Sequence, residues 1–171
     1  AFNSGSSVNA VGGAATVSFS SSTSSLVTGV TYDPTLITTI NGANANWSHS
    51  GLTINNFTVI GSTLNNTGNI TVSNNFDFQG GNFSGAGNFV ISNTGSFSTG
   101  SAKNLNAGTL TNNGTITWSS GTIFFANTGT SFVNNGTFDI ANDNLLSHNV
   151  GGTPIFTNSS TGIISKSAGA G

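Results

Sequence analysis

The sequence predicts an all-β protein built as a β-solenoid, a stack of short strands wound in coils of about 21 residues. Two observations carry this. A unit of Gly, then Asn, Thr or Ser, then a large apolar residue recurs along the chain, and within each unit apolar and polar residues alternate with a period of two. A third supports it: 13 Phe and many Val, Ile and Leu are spaced along the chain rather than clumped, as a buried core requires.

The repeat is clearest from about residue 61 onward. It reads Gly68-Asn69-Ile70, Gly81-Asn82-Phe83, Gly87-Asn88-Phe89, Gly95-Ser96-Phe97, Gly108-Thr109-Leu110, Gly114-Thr115-Ile116, Gly121-Thr122-Ile123 and Gly136-Thr137-Phe138. Between Gly81 and Gly136 the turn glycines lie five to eight residues apart. A heptad helix is excluded by residue type, because a Gly every seventh residue costs about 1 kcal/mol each and Thr, Asn and Ser crowd the segment. In Gly114-Thr115-Ile116-Thr117-Trp118 and Gly136-Thr137-Phe138-Asp139-Ile140 the alternation is that of a strand. Asn113-Gly114 and Asn135-Gly136 mark corners. The same dipeptide also marks hairpins, so a meander is the competing reading. Strands this short would bury little in a meander, whereas three sides of about seven residues close one coil.

The predicted core is Ile70, Val72, Phe76, Phe78, Phe83, Phe89, Ile91, Phe97, Leu110, Ile116, Trp118, Ile123, Phe125, Phe138 and Ile140, with Thr, Ser and Asn in outward ladders. Residues 1–50 are less regular and are expected to form an irregular N-terminal cap ahead of repeats over 51–171, in one domain. Within the cap, Asp33-Pro34 followed by Leu36, Ile37 and Ile40 predicts one short helix, with Asp capping and Pro in the first turn. Ala1-Phe2-Asn3 reads as a processed start, and the ending Ser167-Ala168-Gly169-Ala170-Gly171 as a cut from something longer.

Composition limits function. Two Lys and four Asp are the only charged side chains, 4% of the chain against about 25% in an ordinary domain. Lys103 and Lys166 cannot form the basic stripe that nucleic acid or an anionic membrane demands. Cysteine is absent, so there is no disulfide framework, and no apolar run approaches the ~18 residues of a membrane helix.

The stretch Asn106-Ala107-Gly108-Thr109-Leu110-Thr111-Asn112-Asn113-Gly114-Thr115-Ile116-Thr117-Trp118 resembles the degenerate Gly-Thr-Leu and Asn-Asn-Gly-Thr repeats of bacterial surface β-strand-repeat proteins. These are autotransporter passengers and filamentous-haemagglutinin-type adhesins. The resemblance covers roughly residues 61–166. It implies a right-handed parallel β-helix, export to the cell surface, and a role in adhesion or an extracellular fibre.

The chemical inventory is Asp33, Asp77, Asp139, Asp143, His49, His148, Lys103, Lys166 and Tyr32. Asp77 and Asp139 are expected outward and alone on their strands. Ser48-His49-Ser50 with Asp33 lacks a nucleophile-elbow context and reads as a surface loop. Asp139 to Asn144 offers oxygens but no EF-hand pattern. Trp47 is expected to be exposed and Trp118 buried. The sequence therefore predicts no catalytic, cofactor-binding or metal-ligating residues and no enzyme. The expected function is an extracellular structural or adhesive solenoid. Its expected contacts are end-to-end self-association or a cell-surface glycan, with neither nucleic acid nor membrane insertion. One alternative is an ice-binding protein using a Thr-rich face, on Thr109, Thr111, Thr115 and Thr117; the other is a carbohydrate-active β-helix enzyme.

Overall fold

The computed structural model describes residues 1–9, 15–20, 22–126, 129–148 and 151–170. Among these residues there is no helix, and every paired strand is parallel to its neighbour. The first coil holds β1 (Ser7–Val8), β2 (Thr16–Ser20) and β3 (Thr23–Leu26), and the second β4 (Thr31–Tyr32), β5 (Ile37–Asn41) and β6 (Asn44–Trp47). In the third and fourth, β7 (Leu52–Ile60) and β9 (Asn69–Phe78) run through a corner and serve two sides; β8 (Ser62–Asn66) and β10 (Gly81–Ser84) close them. The fifth holds β11 (Asn88–Ile91), β12 (Thr94–Phe97) and β13 (Lys103–Leu105). The sixth holds β14 (Thr109–Asn112), β15 (Thr115–Trp118) and β16 (Ile123–Phe125). The seventh holds β17 (Ser131–Asn134), β18 (Thr137–Ala141) and β19 (Leu146–His148), after which β20 (Ile155–Asn158) and β21 (Ile163–Ala168) begin another.

The meander is thereby ruled out, since hairpin-connected strands would pair antiparallel with their sequence neighbours. Pairing instead runs from coil to coil. From Thr16 through Ile37, Asn56, Asn75, Thr94, Thr115 and Thr137 to Ile163, seven steps cover 147 residues, or 21 per coil. The coil is not constant: Asn69 pairs with Asn88, 19 residues on, and Ser131 with Ile155, 24 on.

Fourteen of the fifteen predicted core residues are buried; Ile140, near the last coil, is only partly so. An aromatic column runs along the axis, from Phe2 to Phe19 (ring centroids 6.1 Å apart), Trp47 (5.5 Å), Phe57 (5.6 Å) and Phe76 (5.9 Å). A second aromatic cluster, of Trp118, Phe125, Phe132, Phe138 and Phe156, fills the last coils, with Phe132 and Phe156 4.9 Å apart. Gly95 fits this packing. It lies between Phe76 and Ile116 in one inward column, and a Cβ there would meet Ile116 Cγ1 at 2.7 Å.

Three expectations need correcting. The segment after Asp33-Pro34 is no helix. Asp33 Oδ1 accepts from the Thr35 N–H (2.9 Å) and Thr35 Oγ1 (2.7 Å), closing a turn, and β-branched Ile37, Thr38, Thr39 and Ile40 then extend as β5 on β2. Trp47 is 1% exposed, not a surface aromatic, because it falls in the inward column after Leu26 and stacks on Phe57. Coil geometry also starts inside the first 50 residues, where β2, β3, β5 and β6 already stand in register.

Candidate functional site

The titratable side chains scatter over the stack instead of converging. Asp77 and Asp139 share one outward column, Ser18, Thr39, Thr58, Asp77, Ser96, Thr117, Asp139 and Ser165. Three coils separate them, about 14 Å at the inter-strand spacing. Paired carboxylates of glycosidases stand roughly 5 to 9.5 Å apart. Each is also held by neighbours. Asp77 accepts from Gln79 Nε2 (2.6 Å) and Ser98 Oγ (2.7 Å). Asp139 accepts from Ser167 Oγ (2.6 Å) and Ser165 Oγ (2.7 Å), which hold its carboxyl below the usual range.

His49 is occupied by backbone. Its Nδ1 accepts from the Gly51 N–H (3.2 Å), so Nε2 carries the proton donated to Val30 O (2.9 Å). With both ring nitrogens engaged, it cannot serve as the base of a triad. Tyr32 donates to or accepts from Thr38 Oγ1 at 2.7 Å in the interior, and burial raises its phenol. Asp139 and Asp143 turn to different partners, Asp143 to Lys166 Nζ at 2.7 Å and to the Ala170 N–H, while Asn142 donates to Trp118 O. The oxygens of 139–144 do not converge on one point, and among the described residues no three His, Cys, Asp or Glu form a metal-binding group.

Lys103 carries no burial signal in its local sequence, yet it is fully buried at the first inward position of β13. Its ammonium donates to Ser101 O (2.9 Å) and Thr99 O (3.1 Å) at a corner where Thr99 takes φ 62°. Burial pushes the amine down to about 8, a shift that nearby Asp77 partly opposes. Because the unfolded chain binds this proton more tightly, stability rises with pH above about 8, by about 2 kcal/mol up to pH 10. Above about pH 10 the raised Tyr32 acts in the opposite sense. Urea titrations across this range should give that rise, and Lys103→Met should flatten it.

Two surfaces remain as candidate sites. One is the outer side made by β2, β5, the second half of β7 and β9, β12, β15, β18 and β21. It presents the Ser/Thr/Asp column next to a second column containing Asn56, Asn75, Thr94, Thr115 and Thr137. The other is the last coil, where two clefts flank Leu146. One, of about 310 Å³, is lined by Trp118, Ile140, Asn142, Asp143, Asn144, Leu146 and Lys166. The other, of about 160 Å³, is lined by Phe125, Leu146, Ser147, His148, Pro154 and Phe156.

No family model, curated protein or solved structure matches this chain. The functional reading therefore rests on the residues themselves.

Side-chain ladders bind the coils on both surfaces of the wall. Outside, Asn65 donates to Asn46 (3.1 Å), Asn88 to Asn69 (3.1 Å) and Asn135 to Asn113 (2.9 Å). Inside, Asn112 and Asn134 are fully buried: Asn112 Nδ2 donates to Asn134 Oδ1 (2.7 Å) and Thr137 O (2.8 Å), Asn134 Nδ2 to Asn158 Oδ1 (2.7 Å) and Ile163 O (3.0 Å). These amides tie consecutive coils and the adjoining corner together.

Proposed function

We propose that the chain is a non-catalytic, extracellular structural or adhesive β-solenoid that presents a polar wall of low charge to a neutral polar surface such as glycan. The observation that carries this is the state of the acidic groups. Asp77 and Asp139 are three coils apart, and each is held by two side-chain donors of its own wall. Such carboxylates stiffen a surface and are poorly placed for proton transfer. Between Asn56 and Thr137 the rest of the two wall columns is Ser, Thr and Asn on a rigid frame, suited to many weak hydrogen bonds repeated at the coil spacing. The extracellular part of the reading rests on the low charge and on the resemblance to bacterial surface repeats.

Purified chain is expected to bind a neutral polysaccharide or cell-surface array and to turn over none of the sugars it binds. Glycan-array binding with product analysis tests this. Absence of binding to every cell, glycan and surface tried would count against the adhesive reading, and turnover abolished by Asp139→Asn would overturn the non-catalytic one.

One observation favours an ice-binding reading, the paired hydroxyls Thr94 with Ser96 and Thr115 with Thr117 in adjacent coils of one side. The same columns carry Asn75, Asp77 and Asp139, which break a regular hydroxyl lattice. Thermal hysteresis is accordingly expected to be nil in a nanolitre osmometer, and a measurable freezing-point gap would reinstate that reading.

A further inference from the structure

Within the stack, the ladder from coil to coil is interrupted between β4 and β7. β1 pairs with β4, and β7 with β9, but β4 and β7 do not pair with each other. On the other two sides the same coils are joined, β5 to β7 and β6 to β8. Strands lie beyond both edges of the gap, β1 against β4 and β9 against β7, so it is an opening in the wall itself.

Backbone groups face each other across this opening. Thr31 and Asp33 donate to Ser6 O (2.9 Å) and Val8 O (2.8 Å) of the first coil, which turns the N–H and C=O of Tyr32 between them toward β7. From the third coil Asn55 donates to Pro34 O (2.8 Å), and Thr53, two residues before it on the same strand, faces the same way. Among the described residues neither Tyr32 nor Thr53 has a partner for these groups. His49 props the gap: its Nδ1 accepts from the Gly51 N–H (3.2 Å) and its Nε2 donates to Val30 O (2.9 Å). The imidazole thus stands where a direct backbone bond would draw the strands together.

The result is a cleft of about 190 Å³, bracketed by the imidazole at one end and the Asn55 to Pro34 bond at the other. Buried Val30, Tyr32 and Leu52 give it an apolar lining. None of its side chains is charged, since a His49 that accepts through Nδ1 is neutral. Each edge offers an unmet donor and an unmet acceptor, groups that cost free energy until a partner meets them.

We propose that this cleft binds the acetamido group of a neutral N-acetylated sugar. The proposal rests on the glycan-binding reading above and names the group recognised. In a trans secondary amide the N–H and C=O point in opposite directions, so one amide donates to one edge and accepts from the other. Its methyl then lies on Val30 and Leu52. An anion would meet two backbone carbonyls and no cation. A peptide strand would have to continue past the amide, and the brackets at both ends stop it. A pendant amide with a small apolar tip meets both limits.

Titration calorimetry and amide-resolved NMR of the full chain test this, with tri-N-acetylchitotriose against cellotriose, which lacks only the acetamido groups. The acetylated sugar is expected to bind at least about tenfold more tightly and to shift the Tyr32 and Thr53 amide signals. Without sugar these two amides should exchange with solvent faster than those of Thr31 and Asp33, and saturating sugar should slow them. Gly51 is exposed and a Cβ there meets nothing within 4 Å, so Gly51→Leu should cover the mouth and weaken binding at least about tenfold with an unchanged circular dichroism spectrum. Thr53→Tyr, from the other exposed lining position, should act in the same direction should the first variant misfold. Thr115→Leu, on another side of the coil, should leave binding unchanged. Equal affinity for the two sugars, binding indifferent to Gly51→Leu, or slow exchange of Tyr32 and Thr53 without sugar would overturn the proposal. Any of these alongside binding to other glycans leaves the adhesive reading standing, whereas binding to no glycan at all would sink both.

Discussion

Gly114→Ala is expected to destabilise the protein by about 3 to 5 kcal/mol, a large part of the 5 to 15 kcal/mol that holds a typical domain folded. The position is not one of the corners that take a positive φ. A Cβ built there would lie 1.8 Å from Asn93 O and 2.5 Å from its carbonyl carbon, in the backbone of the coil below. Gly136 repeats the arrangement one coil up, its Cβ meeting Gly114 O at 2.0 Å. No rotamer change relieves a clash between a Cβ and backbone. The coils must part at that corner, loosening the Thr115 N–H to Asn93 O bond of 2.7 Å. Gly100→Ala is the control, since its Cβ would meet nothing within 4 Å, and it should cost less than about 1 kcal/mol. Chemical denaturation followed by circular dichroism measures both, and equal losses would contradict this packing.

Asn134→Ala is expected to cost about 3 to 4 kcal/mol. Its amide sits in the interior, accepting from Asn112 and donating to Asn158 Oδ1 and Ile163 O. Alanine leaves a buried Asn112 N–H and the Ile163 carbonyl unpaired. Asn158→Ala, at the exposed last rung of the same ladder, leaves one Asn134 N–H without its acceptor and should cost less, about 1 to 2 kcal/mol. Hydrogen exchange should further show the Ile163 amide, bonded to Gly136 O, losing protection first in the Asn134 variant. Uniform loss of protection along the stack would argue against a local ladder.

Much of the wall was legible because its two faces differ in residue type. Where Thr or Asp alternates with Ile, Phe or Trp, as in β15 and β18, period and orientation follow directly, and Ile116, Trp118 and Phe138 are buried as expected. Legibility fails where polar residues point inward. Asn112 and Asn134 continue the column of Val72 and Ile91, yet as Asn-Asn-Gly they read as turn formers. Lys103 fails for the same reason, since its carbonyl partners Thr99 and Ser101 lie in a corner that carries no distinctive signal. In the first 50 residues, Asn44-Ala45-Asn46-Trp47 offers one large apolar residue among small and polar ones, so Trp47 reads as exposed. Only the coil beneath it, with Leu26 in the same column, makes it core. Asp33-Pro34 gives a true local turn, but a helix-start pattern cannot say whether a helix follows; the β-branched run of β5 decides that it does not.

Both candidate surfaces depend on the coil stack. The wall column exists only if residues about one coil apart lie side by side, and the two clefts beside Leu146 only if β19, β20 and β21 stack on the coil below. The absence of cysteine allows a clean test of this register by disulfide trapping. Ser96 and Thr117 are outward partners in adjacent parallel strands, so their Cα atoms stand about 4.8 Å apart, within disulfide reach. Ser96→Cys with Thr117→Cys should oxidise within a monomer to near completion under air. Ser96→Cys with Asp139→Cys, two coils apart at roughly 9.6 Å, should stay reduced. Failure of the first pair to close, or closure of the second as readily, would contradict the parallel solenoid and both surfaces built on it.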